Sequence, residues 1–87
     1  MTIRNVAATR VYLAPPTPQS PIPQFHTNHI VELTDHILTR HQPLTTELPH
    51  TEWLGGTIII RNRQAYHTTQ ILHPHEAYST TLPLTLL

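Results

Sequence analysis

The chain has 87 residues and no formal net charge: five arginines stand against five acids, with eight histidines beside them and neither lysine nor cysteine. That excludes disulfides, thiol nucleophiles, iron–sulfur clusters and cysteine-type zinc sites, and it leaves too few clustered cations for a nucleic-acid footprint. No apolar run reaches the ~18–20 residues of a membrane span, and at this length one small domain is the ceiling.

In chain order, Met1 to Arg10 carries two arginines with no apolar stretch behind them, so no export signal is expected and the cytoplasm or an organelle interior is the expected location. Thr9–Ala14 has the β-branched and aromatic content of a short strand. Pro15, Pro16, Pro18, Pro21 and Pro23 then fall within nine residues. Proline fixes φ and restricts its predecessor, so this segment reads as an extended, polyproline-like strap. Its Pro18-Gln-Ser-Pro21 spacing suits an aromatic docking groove, and equally a stiff connector of about 3.1 Å per residue.

Thr27 to His41 reads as a helix. Thr27 or Asn28 caps it, Ile30, Leu33 and Ile37 share a face, Arg40 and His41 occupy its last turn, and Pro43 ends it. Leu44–Glu52, punctuated by Pro49, reads as loop. Gly55-Gly56 marks a sharp reversal, and Thr57–Ile60, apolar on both faces, reads as a central strand. Arg61–Gln64 turns the chain back into Ala65–Leu72 as an antiparallel hairpin. Ala77–Leu87, interrupted by Pro83, reads as an edge strand or tail.

The expected fold is therefore α+β: one helix packed on a small three- to four-stranded, mostly antiparallel sheet. Its parts are an N-terminal strand (1–14), the proline-rich strap (15–25) and a small α+β domain (26–87), forming one domain overall. The expected core is thin: Val11, Leu13, Ile30, Leu33, Ile37, Trp53, Leu54, Ile58 and Ile60. Small chains with such cores lean on metals or partners.

Histidines supply the main chemical candidates. His29 and His36 lie two helical turns apart, too far to share one metal. His26, His29 and Glu32, joined by His73 or His75, make a candidate set for zinc or another divalent metal. The competing reading is compositional. Thr, Pro, His, Gln and Leu account for 48 of 87 residues, and their codons are rich in cytosine. Nothing supports an enzyme: Ser20 sits in the strap with no base beside it, and no phosphate-cradling glycine motif or nucleophile elbow is present. Trp53 and Tyr78 are candidate interface aromatics.

Arg10-Val11-Tyr12, followed by Leu54-Gly55-Gly56-Thr57-Ile58-Ile59-Ile60-Arg61, is similar to the first strand and the turn-strand of small phycobilisome linker domains. The likeness covers about a dozen residues. Those domains carry an unbroken basic helix before the glycine pair, where this chain has Pro49.

The functional expectation is a non-catalytic structural or accessory subunit of a larger protein assembly. It would dock on other subunits through Pro15, Pro16, Pro18, Pro21, Pro23, Trp53 and Tyr78. A His-based divalent-metal module and a small regulatory protein, viral in type, that blocks a partner by adding a strand are the alternatives.

Overall fold

The computed structural model describes residues 2–45, 50–78 and 83–87. They form seven strands: β1 (Ile3–Tyr12), β2 (Phe25–Thr34), β3 (Ile37–Pro43), β4 (Thr51–Trp53), β5 (Thr57–Arg61), β6 (Gln64–Thr68) and β7 (Thr85–Leu86). There is no helix among the described residues, and hence none long and apolar enough to cross a membrane. β1, β2 and β3 meander antiparallel, and the β5–β6 hairpin slots between β3 and β1. β6 meets β3 at Ile37↔Gln64, and β5 runs parallel to the end of β1 from Arg10↔Thr57 to Tyr12↔Ile59. Five strands thus close into a barrel in the order β1-β2-β3-β6-β5. This all-β barrel overturns the expected α+β fold.

The segment expected to be a helix, Thr27–His41, is instead the β2–β3 hairpin. Its turn residues Asp35 and His36 both have positive φ, 50° and 73°, the geometry of a two-residue turn that matches strand twist. Two irregularities interrupt the hairpin. Asn28, at φ 49°, interrupts the alternation of β2, and the β2–β3 register slips between Glu32 and Leu33. The extra residue of the slip, Thr39, is on β3, so β2 itself alternates regularly here: Val31 and Leu33 face the barrel interior, while Ile30, on the other face, is buried as well.

The strap is also corrected. Thr17 and Ser20 exchange backbone N–H···O bonds at 2.9 and 3.0 Å, closing a tight turn over Pro18-Gln19. Pro18–Pro21 is therefore bent rather than extended, and residues 13–24 form the loop of the β1–β2 hairpin. The N-terminal strand is no separate part, since it pairs with β2, β4 and β5.

The glycine pair shapes the other edge of β1. β4 lies parallel to Asn5–Ala7, and β5 lies parallel to Arg10–Tyr12. Ala7 faces Trp53 and Arg10 faces Thr57, so one extra residue is absorbed between them. Gly55 and Gly56 absorb it at φ 66° and 60°, conformations that cost an L side chain about 1–2 kcal/mol. Leu54 N–H to the Ala7 carbonyl (2.8 Å) and Arg10 N–H to the Gly56 carbonyl (3.1 Å) flank the bulge. β4 stands where the linker resemblance implies a helix; Pro49 lies outside the described residues.

Val6, Ala8, Val11, Val31, Leu33, Ile58, Ile60, Ala65 and Leu87 fill the interior. A second cluster, Tyr12, Ile59, Leu72 and Ala77, lies on the opposite face of β1 and β5 beneath the chain that follows β6. β5 is thus buried on both faces, as its apolar run implies. Thr57 ties the covering segment down: its hydroxyl donates to the Gln70 carbonyl at 2.8 Å and accepts from Leu72 N–H at 3.0 Å. Trp53, expected in the core, is 55% exposed. The radius of gyration is 12.3 Å, close to the ~12 Å of a compact chain this long.

Candidate functional site

Two features meet at one mouth of the barrel: the β1–β2 proline loop and a cluster of imidazoles. In a regular strand, residues three apart face opposite sides. Asn28 breaks that rule, and His26 and His29 stack with ring centroids 4.6 Å apart. His41 on β3 completes the cluster. Its ring lies 5.2 Å from that of His29, and His29 Nε2 is 3.0 Å from His41 Nδ1. At that distance one nitrogen donates and the other accepts. His29 is 3% exposed; burial, and then His26 and His41, lower its pKa to about 4. It is therefore a neutral imidazole at physiological pH.

Above this cluster the loop encloses a shallow cavity of about 280 Å³, lined by Leu13, Pro15, Ser20, Ile22, Pro23 and His26 among others. Pro15, Pro16, Pro18 and Pro21 are exposed and Pro23 is buried. Ile22 is 68% exposed, more than any other large apolar residue described. Sequence reasoning missed Ile22 and His41. Ile22 lay hidden between prolines, and His41 had been assigned to a helix end that does not exist.

The remaining candidates separate. Tyr78 is a structural anchor: its ring packs edge-on to Tyr12, its hydroxyl donates to the Ile60 carbonyl at 3.1 Å, and Arg61 lies over its face. Trp53 sits beside Ala7, five residues from the end of β1 where the loop departs, or about 17 Å at strand rise. It does not share the loop's surface.

The proposed ligand set is not assembled. Glu32 lies on β2 with its carboxylate accepting from the Thr39 hydroxyl at 3.0 Å. His73 and His75 stack on each other in the turn after β6. Among the described residues no three His, Asp or Glu side chains converge as a metal requires. Glu32, Arg40, His41 and Gln42 border a second cleft of about 210 Å³ floored by Ile30. Asn5 and Thr51 complete its lining, and the buried Thr51 hydroxyl has no hydrogen-bond partner among the described residues. Comparison with family models, with curated proteins and with solved structures finds no match.

Proposed function

We propose that the protein is a non-catalytic accessory module that presents its proline loop to a protein partner within a larger assembly. The observation that carries this reading is the combination, in one loop, of rigidity and exposed apolar surface. The reciprocal Thr17–Ser20 bonds and five prolines fix the loop before any partner arrives, while Ile22 stays in solvent. A preorganised apolar projection loses little conformational freedom on binding. The neutral net charge fits a contact made by shape rather than by long-range steering. Strand addition is the weaker route, because the outer part of β3 is exposed and ends in Pro43, and edge proline discourages pairing.

The test is site-specific photocrosslinking in the organism of origin, with the reactive group at Gln19 on the loop tip or at Thr85 on β7. A discrete adduct of constant mass at Gln19, absent at Thr85 and lost in an Ile22→Ser variant, is the expected result. Absence of an adduct at Gln19, or an equal one at Thr85, would remove the loop as the contact.

A further inference from the structure

The histidine cluster has a consequence independent of any partner. We propose that His26, His29 and His41 form an acid-operated latch, in which protonation of the cluster parts the outer half of β3, Thr39–Pro43, from β2. Three imidazoles lie within ring contact of one another, and the His29–His41 hydrogen bond needs an unprotonated acceptor. Once both rings are cationic, both facing nitrogens carry hydrogens and the bond becomes a repulsion.

No carboxylate contacts His29 among the described residues. From β1, Ala8 stands opposite His29, and Arg10 turns away to the Leu72 carbonyl and the Phe25 ring. From β2 the cluster receives only His26, and from β3 only His41. Glu32, which borders the second cleft with His41, accepts from Thr39 and faces Arg40, the nearer cation, across the register. A proton on His29 must therefore be hydrated, which requires an opening.

β3 is the element that yields. Beyond Leu38 it has, among the described residues, β2 as its only strand partner, because its pairing with β6 stops at Ile37↔Gln64 and the Leu38 N–H bond to the Arg63 carbonyl. Residues Thr39–Pro43 are all exposed, and the last tie is Leu44 N–H to the Asn28 carbonyl. β1, β2 and β5 are each held on both edges. The lowered affinity of buried His29 for protons sets the range. Opening returns the ring to its ordinary value near 6.5, so the open form gains as pH falls below that value and the gain levels off once pH passes about 4.

Amide hydrogen exchange by NMR, corrected for intrinsic rates and run with chelator, tests this between pH 7 and 4.5. The expected result is a loss of protection of about 10- to 100-fold for amides in His29–Val31 and Arg40–Leu44, with Ile58–Ile60 unchanged. A variant with His26, His29 and His41 all replaced by glutamine should show no such loss; if it does not fold, His41→Gln should show a reduced one. Constant protection across the range, a uniform loss that includes Ile58–Ile60, or an unaltered response in the glutamine variants would each overturn the latch.

Discussion

Replacing Gly56 by alanine isolates the device that lets β4 and β5 share one edge of β1. The position has φ 60°, and an added Cβ would overlap the Thr68 carbonyl oxygen and stand 2.9 Å from the Thr69 backbone. Left-handed backbone costs alanine about 1–2 kcal/mol. Overpacking against backbone that cannot rotate away adds about 1–3 kcal/mol, because relief must separate the Thr57↔Thr68 pair at the start of the β5–β6 hairpin. The expected loss is about 2–5 kcal/mol, against a total stability of roughly 4–13 kcal/mol for a domain of this size. The thermal midpoint should fall by roughly 8–40 °C. Gly55→Ala is the control. It has φ 66° but only the Trp53 side chain nearby, at 3.7 Å, so it should lose about 1–2 kcal/mol. Urea unfolding followed by far-UV circular dichroism is the assay, since exposed Trp53 is a poor fluorescence reporter. Equal losses at the two glycines would refute the reasoning.

Other expectations follow from single contacts. Thr57→Val keeps the shape but leaves the Gln70 carbonyl and Leu72 N–H without their partner, so urea unfolding should show a loss of about 2–4 kcal/mol. Thr57→Ser, which keeps the hydroxyl, should lose less than half as much. Arg63 sits at φ 64° in the β5–β6 turn and is exposed; glycine there should raise stability by about 0.5–1 kcal/mol in the same assay, and a decrease would count against the turn geometry. Tyr78, raised to about 12 chiefly by burial, should ionise there in an ultraviolet titration, and Tyr78→Phe should lack that step. Its folded value lies above the unfolded one, so its contribution to stability is whole below pH 10 and is lost as pH rises through about 12.

Part of this was legible in the residues. The apolar run Thr57–Ile60 marked a strand buried on both faces, the polar quartet after it marked a hairpin, and the glycine pair marked the one place where the backbone had to bend. The helix over Thr27–His41 failed for an identifiable reason. Ile30, Leu33 and Ile37 recur with a helical period because β2 is buried on both faces, with Leu33 inside the barrel and Ile30 on the other face, and because the Asp35-His36 turn lacks the glycine that usually announces it. The β-branched content of that stretch, Thr27, Ile30, Val31, Thr34, Ile37 and Thr39, was the signal in favour of strands. The histidine cluster was half visible. His26 and His29 were paired for the wrong geometric reason, and His41 joins them only through the hairpin. The expectation of a thin core came from omitting Val6, Tyr12, Val31, Ile59 and Leu72, which barrel closure and the covering segment bury.

The closed barrel rests on β2 and β3 being paired strands that return to β1 and β6. Cross-strand nuclear Overhauser contacts measured over residues 27–41 address this directly. Contacts joining Val6 to Val31, Val31 to His41 and Ile37 to Gln64 are what the fold requires. A ladder of contacts between residues three apart from Thr27 to His41, with none to β1, would contradict it.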